Sequence, residues 1–267
     1  MKQRIITGLL GVIALIAILM LGEVAVSIAV LAVILMAMYE LMSSVEVRKE
    51  KALCIINLIF AMLFYGIMLY KPEYTYLMLY LYAITILSSM VFSNGRIKFS
   101  LVALACVSMI YVLFMLVHIP LISKLRFGIF YVILILFGAI ATDTFAYFTG
   151  VTIGKHKLCP VMSPKKTVEG AIGGIIGAVA VFVIYGIILN RYAGVNVNYA
   201  LLCVLAFLCA LVSEIGDLIA SVIKRQFGIK DFGNLLPGHG GIMDRVDSIS
   251  VVAPLVFYFI TEFPVFF

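Results

Sequence analysis

Residues 127–148 read FGIFYVILILFGAIATDTFAYF, a stretch with one charged side chain, Asp143. A helix of this length covers the roughly 30 Å hydrocarbon core of a bilayer, for which about 20 apolar residues suffice. The apolar residues follow one another without the alternation of a membrane β-barrel strand. The stretch therefore predicts a transmembrane helix, and its Asp143 is a candidate functional residue because acids within such helices usually mark sites.

The same pattern recurs along the chain. The 267 residues are 65% hydrophobic and 12% charged, whereas a soluble domain carries about 25% charged residues. We predict an all-α, polytopic integral-membrane protein forming one domain, 1–267, with apolar spans in 1–130 and the chemistry in 131–267. Glu23 alone separates the first two spans, so a re-entrant pair is an alternative there. Cutting at the polar breaks gives about nine spans, near 5–21, 24–42, 52–70, 74–92, 99–119, 127–148, 168–190, 199–222 and 249–266.

The basic residues orient these spans. The net charge of +6 would suggest a nucleic-acid partner in a soluble protein, but cytoplasmic loops of membrane proteins collect Lys and Arg. If the nine spans alternate, one side receives every Lys and Arg except Lys71, Lys124, Arg126 and Arg191. This bias places the N-terminus and the polar run 220–247 in the cytoplasm. It also removes the reason to expect nucleic acid.

The cysteines and the N-terminus argue against a disulfide framework, a zinc site and a cleaved signal peptide. No two of the five cysteines have CxxC spacing, which favours free thiols over a disulfide framework or a zinc site. Lys2 and Arg4 precede the first apolar run as in a signal peptide, but a second run follows at once, so we expect an uncleaved span. The cysteines are Cys54, Cys106, Cys159, Cys203 and Cys209.

A first polar group lies in the predicted helix 199–222 and just beyond it. Asp217, Ser221 and Lys224 share one helix face, and Asp217 lies about 10 Å along the axis from Lys224. Such a stripe suits a metal ion at one end and a phosphate at the other. The alternative is a buried Asp–Lys pair that only stabilises the bundle.

A second polar group occupies the loop 228–247. Its glycines let backbone amides turn toward an anion, and three carboxylates stand among basic side chains. Mg²⁺ with a polyphosphate prefers such a setting, since it takes one or two carboxylates plus phosphate oxygens. His239 stays open as a loop hydrogen-bonder, a phosphate contact or a proton donor. The acids are Asp231, Asp244 and Asp247, and the bases are Lys224, Arg225, Lys230 and Arg245.

A third polar group follows Asp143. The sequence SPKKTVEG at 163–170 predicts a helix with Ser163 as N-cap and Pro164 at the first position. Lys165 and Lys166 would then oppose the helix dipole, which suggests an anionic ligand; ordinary loop charge is the alternative. The glycines that follow, from Gly170 to 177, have the spacing of close helix packing.

Many of these residues match the signature of a known protein family. The run from Ser221 to Asp247 resembles the signature of the phosphatidate cytidylyltransferase family, also called CDP-diacylglycerol synthases, and the segments 143–150 and 163–170 look like that family as well. The first 130 residues are similar only in being apolar. Matching positions in the signature are Ser221, Lys224, Arg225, Lys230, Asp231, Gly233, Pro237, His239, Gly240, Gly241, Asp244, Arg245 and Asp247.

The resemblance implies condensation of CTP with phosphatidic acid to CDP-diacylglycerol and pyrophosphate, with Mg²⁺, in a homodimeric enzyme of the cell membrane. Phosphatidate has a phosphomonoester whose second pKa lies near 6, so at neutral pH it is largely a dianion that needs little help from a base. Bringing two anions together instead requires positioning and charge neutralisation.

The site expected from this resemblance has three sets of residues. Mg²⁺ ligands would be Asp217 and Asp244, with Asp143 facing Asp217 across a cavity open to lipid as a candidate for a second cation. A transferase for another lipid acceptor and a transporter are the alternatives; no duplicated half supports the transporter. Catalytic candidates are Asp217, Asp244, Asp247 and Lys224; substrate contacts are Lys165, Lys166, Ser221, Arg225, Lys230, His239 and Arg245.

Overall fold

The computed structural model describes residues 2–45, 47, 50–235, 238 and 240–267. About 79% of the chain is helical, as its long apolar runs predict. The helices of the described part are α1 (Lys2–Met20), α2 (Glu23–Ser44), α3 (Lys51–Tyr70), α4 (Thr75–Phe92), α5 (Phe99–Ser108), α6 (His118–Ser123), α7 (Gly128–Ile153), α8 (Val168–Tyr192), α9 (Tyr199–Gln226) and α10 (Met243–Glu262).

Every predicted span coincides with helix over most of its length, although the last, 249–266, runs four residues past the end of α10 at Glu262. A 3-10 turn, Pro72–Tyr74, precedes α4, and a π-helix, Met109–Phe114, follows α5. Among the described residues, seven helical segments are long and apolar enough to cross a membrane. The polytopic all-α class is therefore confirmed, while the count of nine, which needs α1 and α10 as well, stays a prediction. The seven are Glu23–Ser44, Lys51–Tyr70, Pro72–Phe92, Phe99–Ser123, Gly128–Ile153, Val168–Tyr192 and Tyr199–Gln226.

The predicted start of a helix at Ser163 is wrong. Residues Ser163–Thr167 form strand β2, which pairs antiparallel with β1 (Lys157–Cys159) in a short hairpin. The helix α8 begins four residues later than expected, at Val168 instead of Pro164, and Thr167 is its N-cap. Lys165 and Lys166 thus belong to a strand, and the first turn of α8 carries an acid, Glu169, in agreement with the helix dipole.

The described chain falls into two compact units. Unit 1 comprises 1–121 and 227–245, and unit 2 comprises 122–226 and 246–267. This division does not test the prediction of one membrane domain, which stays a prediction.

In unit 1 a buried amide joins three helices: Asn57 donates to the carbonyl oxygen of Ala105 at 2.9 Å, and its own oxygen accepts from the Tyr82 hydroxyl at 2.7 Å. Both sides of this buried polar group are therefore satisfied.

Unit 2 is built on close packing of α7, α8 and α9. A Cβ atom on Gly174 would lie 2.9 Å from the carbonyl oxygen of Thr142, and one on Gly177 would overlap the ring of Phe145. The glycines of α8 therefore let its backbone approach α7, which confirms the packing role that their spacing predicts. This packing brings the polar ends of three helices and the hairpin into one unit.

Candidate active site

A cavity of about 580 Å³ in unit 2 is lined by four of the twelve predicted site residues, Asp143, Lys165, Lys166 and Asp217. Its volume lies within the ordinary range of small-molecule sites. Asp143 and Tyr147 come from α7, and Glu214 and Asp217 come from α9. The hairpin supplies Lys157, Ser163, Lys165, Lys166 and Thr167. Acids on two helices therefore face lysines on one hairpin, and Asp143 and Asp217 share the cavity as the sequence predicts.

An ion pair joins the hairpin to α9 inside this cavity. The Nζ atom of Lys166 lies 2.8 Å from Oδ2 of Asp217, and both side chains are partly exposed, at 22% and 31%. The sequence suggested a structural pair of Asp217 with Lys224; the structure shows Lys166 of the hairpin as a partner of Asp217. A partly exposed pair contributes little to stability, so its position at a cavity wall matters more than its strength.

More acidic groups surround Asp217. Glu214, one turn earlier on α9, is buried, and its Oε1 has no hydrogen-bond partner in the described part of the chain. Asp247, just before the apolar part of α10, is 7% exposed. Burial, together with the negative charges of Asp217 and Asp143, raises the pKa of the Asp247 carboxyl to about 7, although Lys224 opposes the rise. Carboxylates and lysines thus occur together around Asp217, and they are the side chains that attract a cation and a phosphate respectively.

The donor set fits Mg²⁺ rather than zinc. The described residues contain no group of three or more His, Cys, Asp or Glu side chains arranged to hold a metal ion. Mg²⁺ does not need one, because it binds through one or two carboxylates and fills its octahedron with water and phosphate oxygens. Asp217 and Asp143 on the cavity wall meet that requirement, and the unpaired oxygen of Glu214 can accept from a bound water.

The hairpin is fixed to α8 at its base. The Thr167 side chain accepts a hydrogen bond from the amide of Gly170 at 3.1 Å, which caps α8. The Glu169 carboxylate accepts from the backbone amides of Lys155 and His156 and contacts Nδ1 of His156 at 2.6 Å. These contacts join both ends of the hairpin to the first turn of α8, and so they hold Lys165 and Lys166 at the cavity.

The predicted stripe on α9 exists as one continuous helical face. Asp217 and Ser221 are half-buried, Lys224 is half-buried in the last turn, and Arg225 is exposed beside it. The charge of Lys224 acts on the Asp247 carboxyl, which places these two residues near one another in unit 2. Three of the predicted residues, Asp143, Asp217 and Lys224, therefore act electrostatically on a fourth, Asp247.

The glycine-rich loop belongs to unit 1. Oδ2 of the buried Asp244 accepts from the amides of Phe232 at 2.8 Å and Gly241 at 3.0 Å, so this carboxylate fixes the loop. Gly240 has φ +82°, a left-handed conformation that favours glycine. The basic residues Lys230 and Arg245 are exposed. The two remaining residues of the signature, Pro237 and His239, lie outside the described residues.

Sequence reasoning assigned no role to two acids, Glu214 and Glu169. Glu214 lines the cavity, and its spacing of three residues from Asp217 on a helix was the signal that could have found it. Glu169 fixes the hairpin, but its contact with residues 155–156 depends on a turn that the sequence does not reveal. The five cysteines, by contrast, are free thiols as predicted.

A membrane-embedded protein with lysines and carboxylates around one cavity has the features of an enzyme that transfers phosphorylated groups. Comparison with known proteins defines the class: residues 2–263 match the Cytidylyltransferase family, and the chain belongs to that family.

Three curated relatives, each named phosphatidate cytidylyltransferase, are similar over most of their length. The relative from Bacillus subtilis is 30% identical over 98% of this chain and 98% of its own. The relative from Staphylococcus epidermidis is 33% identical over 96% of this chain and 97% of its own. The relative from Thermotoga maritima is 32% identical over 84% of this chain and 83% of its own.

Proposed function

We propose that this chain is a phosphatidate cytidylyltransferase. In the proposed reaction, a phosphate oxygen of phosphatidic acid attacks the α-phosphorus of CTP, the bond from that phosphorus to the bridging oxygen breaks, and pyrophosphate leaves. The products are CDP-diacylglycerol and pyrophosphate. Similarity over most of the chain to three relatives of that name supports this activity, and the family match supports the nucleotide.

The observation that carries the proposal is the Lys166–Asp217 pair inside the cavity. A lysine and a carboxylate held 2.8 Å apart can separate when a triphosphate and a divalent cation arrive, since each then gains an opposite charge. Lys166 and Lys165 would then bind phosphate oxygens, while Asp217 turns to the cation. No side chain has to form a covalent bond with the substrate.

Mg²⁺ is the cofactor that suits this site. When bound, it would neutralise phosphate charge and polarise the phosphorus under attack. Asp217 and Asp143 would hold it, and the neighbouring Asp247 would orient this group or share the cation; Asp244 remains a proposed ligand as well. Lys224, Arg225, Lys230 and Arg245 are proposed phosphate contacts, and Ser221 and His239 are proposed hydrogen-bonding contacts to substrate.

We also propose a membrane location for the chemistry. Phosphatidic acid keeps its tails in the bilayer, so its headgroup must reach Asp217 at the headgroup level of one leaflet. The bias of Lys and Arg assigns that leaflet to the cytoplasmic face of the cell membrane, where CTP is available. A homodimer surrounded by membrane lipids is the assembly proposed from the family resemblance.

Product analysis tests the function. The full chain, purified in detergent, is incubated with phosphatidic acid, Mg²⁺ and CTP labelled either in the cytosine or at the γ-phosphate. We expect the cytosine label in a lipid product and the γ-label in pyrophosphate. Transfer of the γ-phosphate to a polyprenyl alcohol would indicate a kinase, and transfer of CMP only to an ether-linked lipid would indicate another acceptor.

A further inference from the structure

Glu40 is a buried acid that the proposed reaction does not use. It lies near the end of α2 and is 7% exposed. Its Oε2 accepts a hydrogen bond from the backbone amide of Met243 at 2.9 Å, a contact between residues 203 positions apart. Its Oε1 is buried without a hydrogen-bond partner in the described part of the chain. A carboxylate held in this way requires an explanation, because burying charge is costly.

Two glycines of the loop leave the space that Glu40 occupies. A Cβ atom on Gly233 would meet only Glu40 among its nearest neighbours, overlapping Oε1 and lying 2.6 Å from Cδ and 2.9 Å from Cγ. A Cβ atom on Gly241 would overlap Oε2 and lie 2.7 Å from Cδ. Neither glycine has positive φ. Glu40 therefore occupies the space of a side chain at Gly233, and at Gly241 it does so together with the backbone nitrogen of Gly233, which a Cβ atom would approach to 2.8 Å.

The hydrogen bond falls at the start of α10. Met243 is the first residue of that helix, whose opening amides have no partner within the helix, and the helix dipole attracts negative charge there. The next residue, Asp244, accepts from the amides of Phe232 and Gly241. Glu40 and Asp244 thus hold the same loop through different amides.

We propose that Glu40 is a positioning residue: it fixes the described loop segments 231–235 and 240–243 and the first turn of α10, and so sets the direction of Asp244 and Arg245. Only the effect on turnover depends on the proposed function. The effect on the loop itself does not, because the contacts of Glu40 with Met243, Gly233 and Gly241 belong to the protein without substrate.

The first experiment compares Glu40→Ala with Glu40→Gln in the full chain. The glutamine keeps an oxygen that can accept from Met243, whereas alanine leaves that amide without a partner. We expect amide hydrogen exchange across 231–243 to accelerate about tenfold or more in Glu40→Ala, and less than about threefold in Glu40→Gln. Exchange in α7 should not change. Glu23→Ala is the matched control, because Glu23 is an exposed acid at the other end of α2.

Turnover supplies a second readout. In Glu40→Ala we expect kcat to fall about tenfold or more while KM for phosphatidic acid changes less than about threefold. Glu40→Gln should restore most of kcat. If the wild-type chain makes no CDP-diacylglycerol but the exchange results hold, then the proposed function fails and the role of Glu40 stands. Unchanged exchange in Glu40→Ala, or equal exchange in both variants, overturns that role.

A second experiment is a double-mutant cycle. It tests the contact between Glu40 and Gly233 from the side of the glycine, and so it does not depend only on removing the carboxylate. Gly233→Ala should accelerate exchange of the loop about tenfold in the wild-type background, because its Cβ displaces Glu40. In the Glu40→Ala background the same change should add less than about threefold, since the space is then vacant. Gly66→Ala, where a Cβ meets nothing within 4 Å, is the control. Equal effects of Gly233→Ala in both backgrounds overturn the proposal.

Discussion

Lys166 on the hairpin and Asp217 on α9 form an ion pair of 2.8 Å across one side of the cavity. The pair links the hairpin, which carries the proposed phosphate contact, to α9, which carries the proposed metal ligand. Because each partner has a counter-charge before any substrate binds, neither is left as an isolated charge beside the membrane. Substrate and cation would replace this contact rather than fill an empty site.

The first prediction concerns Asp217. Asp217→Asn keeps the size of the side chain but removes its charge, so the cation is held less tightly and the negative transition state loses stabilisation. We expect activity to fall at least about 100-fold, equal to about 2.7 kcal/mol, at every Mg²⁺ concentration up to saturation. Glu73→Gln, a change at an exposed acid, should leave activity normal. Near-normal turnover of Asp217→Asn in a Mg²⁺ titration would remove Asp217 from the ligands.

The second prediction separates two roles of Asp244. An asparagine at this position can still accept from the amides of Phe232 and Gly241 through its side-chain oxygen, so the loop should stay ordered. We expect Asp244→Asn to lose about 100-fold in activity with little change in amide exchange across 231–243. If activity survives while the loop remains ordered, Asp244 is a structural residue and not a metal ligand.

The third prediction concerns Lys166. Lys166→Ala should lower kcat/KM for CTP at least about tenfold, because a phosphate contact at the cavity is lost. Lys155→Ala removes an exposed lysine at the start of the same hairpin region and should change kcat/KM by less than about threefold. Equal, mild losses in both variants would instead mean that these lysines serve the orientation of the loop in the membrane.

The fourth prediction concerns the cap of α8. Thr167→Val keeps the shape of the side chain but cannot accept from Gly170, and we expect it to destabilise the protein by about 1 kcal/mol. Thr167→Ser should stay close to wild type. Thermal unfolding in detergent measures this, with Thr152→Val on the exposed face of α7 as the control. A valine variant as stable as the serine variant would contradict a capping role.

The fifth prediction concerns orientation. In a variant without the five native cysteines, a cysteine placed at the exposed Leu235 should react with an impermeant thiol reagent only after the cells are opened. A cysteine at Phe267 should react in intact cells. The positive-inside bias gives both expectations. Labelling of position 235 from outside would place the glycine-rich loop on the other face of the membrane.

Much of this architecture follows from short-range pattern. Apolar length alone locates the helices, and the i, i+4 spacing places Asp217 and Ser221 on one face of α9. Ser163–Pro164 shows where such local reasoning fails. Serine followed by proline favours a helix start, but here the segment pairs with residues 157–159, and the cap passes to Thr167. Pairing of the two strands in the hairpin prevails over the helix-start signal of the Ser–Pro dipeptide.

Contacts between distant parts of the chain were not predictable from one sequence. Glu40 is an acid within an apolar helix, but nothing near it in the chain points to Met243. Likewise, the sequence marks Lys166 and Asp217 as separate candidates without showing that they touch. Residue types at a site can therefore be read from sequence when their chemistry is unusual, while their pairing requires the fold.

The hydrogen bond between Glu40 and Met243 also has a consequence for how the protein is made. Ribosomes add about 5–20 residues per second, so α2 is synthesised roughly 10–40 s before Met243, 203 residues later, is available to pair with it. During that interval the nascent chain carries an acid whose final partner does not yet exist. A chain that stops before residue 243 therefore lacks the amide from which Glu40 accepts, and the acid of α2 stays without this partner.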